Sequence, residues 1–353
     1  MTRRGPGNPK GGPRTIGSGE PQGGAPVNQS PARYPLAVLP TPLQPAVRLS
    51  AALAGPPILV KRDDLTGFAL GGNKARKLEY LLGDALATRC EVLLTGGGSD
   101  SNHCQAAAAA ARVAGLACEL VLYGDEPRQP RLNLELARRS GASVAFTGDP
   151  DRASVDDALA DRAEQLRAAG RRPYVIPRGG ATPLGAVGYA LAVDELVRQL
   201  AELGTDPEVV LVATGSCGTQ AGLVAGTVAA GRRWRVVGAT VSRPPAECRD
   251  RVLRLACECA ALLGFPAPEE QDVELVDARG PGYGLPSADG DAAAGLAAAT
   301  EGLLLDPVFT AKAMAVLAGT VGAGGSGPAV FVHTGGMPVA LQSIARWCDD
   351  RQR

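Results

Sequence analysis

Aromatic residues make up only 4% of this 353-residue chain, and there are just two histidines, His103 and His333. So few imidazoles exclude a protein-only metal site of the His-rich kind. The eight cysteines include no CxxC pair, and Cys257 and Cys259 stand too close together for an ordinary zinc knuckle. No metal is therefore expected. Thiols in apolar settings behave as small hydrophobes, so a reduced, cytoplasmic protein without structural disulfides is expected. Neither sign of charge is in excess: Lys plus Arg and Asp plus Glu each count 36, for a formal charge of +0. A nucleic-acid footprint needs a clustered basic surplus, so no such partner is expected, and none in a membrane. Residues 1–30 have no apolar block and no secretory h-region, and their Gly- and Pro-rich composition reads as a disordered extension.

What is abundant is small residues, including 46 glycines, which allow helices to pack closely on sheets. From Ile58 onward, short apolar runs alternate with helix-period segments. Val92–Leu94, Leu116–Tyr123, Ala142–Phe146, Tyr174–Ile176, Val209–Ala213, Trp234–Thr240, Val273–Val276 and Ala329–His333 read as strands. The segment 182–203 reads as one helix, and Tyr34–Leu43 as an extended lead-in. Strict alternation of this kind predicts an α/β protein with open, doubly wound parallel sheets. The strands are too many for one open sheet, so two lobes facing a cleft are expected.

The segment Gly71-Gly72-Asn73-Lys74-Ala75-Arg76-Lys77-Leu78 joins a strand to a helix, with Lys74 in the first helical turn. A helix N-terminus disfavours a cation. A lysine in a positive, desolvated setting has a lowered pKa, and its neutral amine can condense with a carbonyl. Lys77 falls on nearly the same face as Lys74, whereas Arg76 is expected to face solvent. Two further strand-to-helix loops are rich in glycine: Gly97-Gly98-Ser99-Asp100-Ser101-Asn102-His103 and Thr214-Gly215-Ser216-Cys217-Gly218-Thr219. Free N–H groups at a helix start, with glycines that let the backbone approach, form anion cups. The second lacks the Gly-Lys-Ser/Thr ending of a nucleotide-triphosphate loop. Two cups suit an amino acid bound to a phosphate-bearing cofactor.

These motifs, with Gly282-Tyr283-Gly284, Asp306-Pro307-Val308 and His333-Thr334-Gly335-Gly336, occur in order between about Pro40 and Ile344. Together they resemble the D-cysteine desulfhydrase and 1-aminocyclopropane-1-carboxylate deaminase family, pyridoxal-phosphate enzymes of fold type II. The resemblance implies a large cofactor-binding domain, 31–76 plus 184–353, with a small domain, 77–183, inserted in it. It implies pyridoxal 5'-phosphate held by Lys74, with Lys77, Asn102, Thr214, Gly215, Ser216, Cys217, Gly218, Thr219 and Thr334 around it. Ser101, Asn102, His103, Tyr283, Phe309 and Thr310 are the implied substrate contacts. Lys74, Ser101 and Tyr283 are the implied catalytic set, and a homodimer is the usual assembly.

Within that family the deaminases carry Tyr-Glu after Asp-Pro-Val and the desulfhydrases Tyr-Thr. Here the pair is Phe309-Thr310. Thr310, Thr334 and His103 side with the desulfhydrases, while Phe309 departs from both. A threonine opposite the pyridine nitrogen leaves the ring a weak electron sink, which favours prompt β-elimination. The expected reaction is elimination from a D-cysteine-like amino acid to pyruvate, ammonia and sulfide. Ring opening by a deaminase, a sulfo-lyase or biosynthetic C–S lyase, and a non-catalytic binding protein are the alternatives.

Overall fold

The computed structural model describes residues 31–322 and 327–351. The extension expected to be disordered, residues 1–30, lies outside them. Ten strands occur among the described residues: β1 Leu43–Pro45, β2 Ile58–Lys61, β3 Val92–Gly97, β4 Ala117–Leu122, β5 Ser143–Phe146, β6 Pro173–Ile176, β7 Val209–Thr214, β8 Arg235–Thr240, β9 Glu274–Asp277 and β10 Ala329–Val332. They form two sheets. One has the order β1-β2-β10-β7-β8-β9 and the other β5-β4-β3-β6. The four-stranded sheet is parallel throughout and comes entirely from residues 92–176.

The sequence anticipates the parallel sheets, with one difference at an edge. β1, which begins where the expected lead-in Tyr34–Leu43 ends, pairs antiparallel with β2. Its proline sits at the strand end on the sheet's border, where a missing N–H costs no ladder bond. The segment 182–203 is two helices, Pro183–Ala190 and Ala192–Glu202, with Leu191 between them.

Each sheet is covered on both faces, which explains why its central strands are apolar without alternation. Every residue of β2, β7 and β10 is buried. The helix Gly218–Ala229 packs against Pro183–Ala190 so closely that a Cβ on Gly222 would stand 2.3 Å from the Ala186 carbonyl oxygen. On the small sheet, the helix Asn102–Val113 buries Ala106, Ala107, Ala110 and Ala111 against Leu93 and Leu120. Small side chains thus replace the missing aromatic bulk.

Arg76 is the main correction to the sequence reading. It was expected in solvent and is 2% exposed. Its guanidinium binds Asp63 through Nε and Nη2 at 2.9 Å each, and Glu195 at 2.9 and 3.1 Å. Tyr189 and Thr41 also donate to Asp63, and Lys61 donates to Glu195. Burial pushes both carboxyls up, but the cations outweigh it and hold each below the usual carboxylate range. The cluster gathers the lead-in, β2 and three helices beneath the start of the helix Lys74–Ala87.

Removing one member of a buried, hydrogen-bonded ion cluster leaves charge uncompensated and costs about 3–5 kcal/mol. Arg76→Met is therefore expected to lower unfolding free energy by about that amount in urea titrations. Because both carboxyls are depressed in the fold, their contribution is full above the ordinary carboxylate range and is lost as pH falls through the folded values. The gap between wild type and Arg76→Met should accordingly narrow on acidification.

Candidate active site

The carboxyl ends of strands from both sheets open onto one cavity of about 180 Å³. Such ends are where open α/β sheets bind ligands. After β2 the chain turns at Gly71 and Gly72, with φ of +77° and +106°, before the helix begins at Lys74. A Cβ on Gly72 would lie 2.9 Å from the Thr334 carbonyl oxygen, and one on Gly335 would lie 2.6 Å from the Gly72 Cα. Two glycine loops, after β2 and after β10, thus touch backbone to backbone. The Asn73 N–H donates to the Thr334 carbonyl at 3.0 Å and locks this contact. Lys74 is thereby delivered to the wall that carries Thr334. Burial pushes the Lys74 amine down to about 8.

The loop after β7 forms the first cup. Cys217 takes the left-handed conformation, φ +77°, as N-cap of the helix Gly218–Ala229. Among the described residues, no turn or side-chain acceptor takes the N–H groups of Ser216, Cys217, Gly218 or Thr219. The outward carbonyls are occupied instead: Arg243 donates to Gly215 at 3.1 Å and Arg251 to Ser216 at 3.4 Å. Asn73 donates to the Thr219 hydroxyl at 2.9 Å, tying this loop to the Lys74 turn.

The second cup begins the helix Asn102–Val113, where the Ser101 hydroxyl caps Cys104 N–H at 3.2 Å. Asn133 donates to the Asn102 side-chain oxygen at 2.9 Å and fixes that amide. His103 is 2% exposed. The Thr95 hydroxyl already donates to the Ile176 carbonyl at 2.7 Å, so at 3.0 Å it accepts from His103 Nε2. His103 is therefore the neutral Nε2–H tautomer, and its buried Nδ1 is an acceptor with no protein partner. Burial, with Lys74 and Lys77 nearby, holds its pKa well below the ordinary value.

Of the residues singled out in the sequence, Lys74, Ser101, Asn102, His103, Thr214, Gly215, Ser216, Cys217, Thr219, Tyr283, Phe309 and Thr334 line this cavity. Lys77, Gly218 and Thr310 do not stand on its wall. Lys77 is fully buried behind the cup and donates to the Gly179 carbonyl at 3.2 Å. A Cβ on Gly218 would meet the Lys77 Nζ at 2.8 Å. Thr310, expected as a substrate contact, is turned inward because its hydroxyl donates to the Asp306 carboxylate at 2.8 Å. Phe309 lies edge-on to Tyr283, with ring centroids 6.1 Å apart.

Sequence reasoning missed the arginines that line the cavity, 152, 178, 243 and 251. They are scattered along the chain and carry no local signal. It also gave no role to Lys312, which is 1% exposed and donates to the carbonyls of Arg279 and Gly282 at 2.7 and 3.0 Å. Those bonds hold the loop that presents Tyr283. Although Tyr283 is 40% exposed, burial around its hydroxyl pushes the phenol up to about 12 against the pull of Arg152. It keeps its proton at neutral pH.

Two doubly wound parallel layers with a lysine and a phosphate-sized cup at their shared cleft define a fold type II pyridoxal-phosphate enzyme. The comparisons agree. The pattern of the family described as pyridoxal-phosphate dependent enzyme matches residues 34–335, and the chain belongs to that family. It is 39% identical over 326 residues to a 1-aminocyclopropane-1-carboxylate deaminase of Burkholderia vietnamiensis, covering 89% of this chain and 96% of that one. A crystal structure described as an ACC deaminase homologue superposes with a TM-score of 0.84 at 34% identity, over 92% of this chain and 97% of that one. A threonine deaminase from T.th., at 23% identity and a TM-score of 0.60, covers 84% of this chain and 92% of that one and shares the fold. The protein is thus a pyridoxal-phosphate-dependent lyase of the ACC deaminase family. Its cavity fits the cofactor: a desolvated amine, a cup of unpartnered N–H groups and a Thr334 hydroxyl with no protein partner among the described residues share one wall. No helix among the described residues is long and apolar enough to cross a membrane.

Two outcomes test this site. A neutral amine is the nucleophile, so attachment of pyridoxal phosphate to the apoprotein should quicken with pH around a midpoint near 8. Growth of absorbance at about 400 nm reports it, and a midpoint near that of an ordinary lysine would refute the reading of Lys74. In Gly218→Val the added side chain must displace Lys77. Cofactor affinity should fall about tenfold or more, roughly 1.4 kcal/mol, as read by equilibrium titration of folded protein.

Proposed function

We propose that the chain releases ammonia and a 2-oxo acid from a small amino acid by β-elimination, with Lys74 as the base. The placement of the buried Lys74 on one cavity wall with two helix starts and Tyr283 is the observation that carries this reading. When bound, the cofactor supplies the electron sink that makes a Cα proton acidic. The free N–H groups at Asn102 and His103 bind the substrate carboxylate, as an unoccupied helix start favours an anion. Lys74 takes the Cα proton. Tyr283, protonated at neutral pH, stands to donate toward the departing group. Thr334 offers a hydroxyl rather than a carboxylate to the ring nitrogen, which keeps electrons from resting in the ring.

Two substrate readings use this cavity but differ in the first step, because 1-aminocyclopropane-1-carboxylate carries no proton on Cα and its ring must be opened without removing one. By name, the relatives support opening of 1-aminocyclopropane-1-carboxylate better than the desulfhydrase activity expected from the sequence. The cavity lining supports elimination of a β-substituent. Where the deaminases carry Tyr-Glu, Phe309 brings a ring without a hydroxyl and Thr310 brings no carboxylate and faces Asp306. Ring opening needs a group to protonate a carbon, and this wall offers only Tyr283 and Tyr123 as phenols.

Product analysis decides between them. The holoenzyme should form pyruvate from at least one β-substituted D- or L-amino acid and little 2-oxobutanoate from 1-aminocyclopropane-1-carboxylate. Lys74→Ala should lose at least about a thousandfold, the order of one essential acid–base group. Efficient 2-oxobutanoate formation with no pyruvate from any β-substituted amino acid would establish the deaminase reading instead.

A further inference from the structure

The helix Leu132–Arg139 starts without a cap of its own, since its N-cap residue, Arg131, makes no capping bond from its side chain. A helix start exposes N–H groups that need acceptors. Here the Leu132 N–H donates to the side-chain oxygen of Gln342, 2.8 Å away and 210 positions along the chain. The nitrogen of the same amide donates to the Asp100 carboxylate at 3.1 Å. Its orientation follows from its partners, because a backbone N–H only donates and a carboxylate only accepts.

Asp100 belongs to the glycine-rich loop after β3, which brings Ser101, Asn102 and His103 to the cavity. The first turn of Leu132–Arg139 grips this loop from one side. Arg131 lies 3.3 Å from the Asp100 carboxylate, and Asn133 donates to the Asp100 carbonyl at 2.8 Å and to the Asn102 side-chain oxygen at 2.9 Å. Gln342 grips it from the other. This half-buried residue stands on the helix Met337–Arg351, which begins directly after the Thr334-Gly335-Gly336 loop of the large sheet. Among the described residues, its bond to Asp100 is the one hydrogen bond between loop 97–103 and any residue beyond 183.

We propose that Gln342 is a positioning residue for the reaction: it ties the loop 97–103 to the segment that carries Thr334, so that the N–H groups of Asn102 and His103 meet the substrate carboxylate. This rests on the reading of that helix start as the carboxylate site. An amide suits the place because it must accept from one neighbour and donate to the other. A glutamate would accept from Leu132 but set a second carboxylate against Asp100, and a leucine would do neither. Loss of the bridge weakens a contact made equally in the bound substrate and in the transition state. Such a loss raises KM and leaves kcat in place.

The test titrates the holoenzyme with 2-aminoisobutyrate and isopropylamine, a pair that differs by the carboxylate. Neither carries a β-leaving group, so both bind without elimination, and the cofactor's absorbance reports each dissociation constant. The wild type should hold the amino acid more tightly. Gln342→Leu and Gln342→Glu should each cut that preference about tenfold, the order of one charge-assisted hydrogen bond, with isopropylamine affinity unchanged. Adding Asp100→Asn to Gln342→Glu sets a donor against an acceptor again and should recover most of the preference. In the apoprotein, amide hydrogen exchange across residues 99–104 should quicken in Gln342→Leu. With β-chloroalanine, KM should rise by the same factor as the amino-acid dissociation constant while kcat holds. A preference unmoved in Gln342→Leu overturns the proposal and leaves the carboxylate site standing. Equal weakening of both ligands also overturns it, because a general disturbance of the fold gives that result. Should Gln342→Leu fail to fold, Gln342→Glu with and without Asp100→Asn decides on the same readings. Equal wild-type affinity for the two amines removes the carboxylate site and the proposal together.

Discussion

The guanidinium of Arg76 sits between the carboxylates of Asp63 and Glu195 in the interior, in the first turn of the helix that begins at Lys74. Arg76 lies two residues beyond Lys74, so the direction in which Lys74 leaves the backbone is set by where Arg76 is held. Asp63 stands just after β2, and Glu195 on a helix that covers the large sheet. The cluster therefore fixes the helix against the sheet by charge-assisted bonds in low dielectric, where they are strongest and where an unpaired member is most costly. A Cβ on Gly188 would come within 2.2 Å of the Arg76 carbonyl oxygen, so the neighbouring helix also closes on the same turn. The polar interior supports position more than it supports bulk stability.

From this anchor the site follows by short, stiff steps. Gly72 and Gly335 bring the loops after β2 and β10 into backbone contact, and no larger residue fits either place. Asn73 then links the Lys74 turn to Thr219, so the amine and the anion cup share one framework of hydrogen bonds. The other cup rests on the smaller sheet, where Thr95 of β3 sets the tautomer of His103. Each sheet thus contributes one helix start to the cavity, and Lys74 lines the same wall. Desolvation in that cleft is what lowers the lysine.

The alternation of short apolar runs with helical segments made the layered fold legible, because strands buried on both faces must be apolar throughout. Lys74 and both glycine loops were legible because their chemistry is local: a few consecutive residues build each one. What the sequence hid is non-local. Arg76 looks like any charged residue in a helix until Asp63 and Glu195, 13 and 119 positions away, converge on it. The cavity arginines come from three separate segments and meet only when the strand ends gather. Thr310 lies beside Phe309 in the chain yet points the other way, since Asp306 caps the turn and claims its hydroxyl. Adjacency in a motif does not assign both neighbours to one wall.

Lys312 shows how such hidden partners reach the chemistry. It is a buried lysine whose amine has two carbonyl acceptors and no carboxylate, an arrangement that restrains a loop rather than neutralising a charge. The loop it restrains carries Tyr283, whose ring packs edge-on to Phe309 and under Arg152. Phe309 immediately precedes the helix Thr310–Gly322 that carries Lys312, so one stretch of chain places both the ring that supports Tyr283 and the amine that holds its loop. A tyrosine in place of Phe309 would bring a third phenol to this wall. With phenylalanine there, the polar side chains of this wall are Tyr283, Tyr123 and the guanidinium of Arg152 across the cleft. This part of the cavity wall is thus assembled where the two sheets meet, by side chains that neither sheet supplies alone.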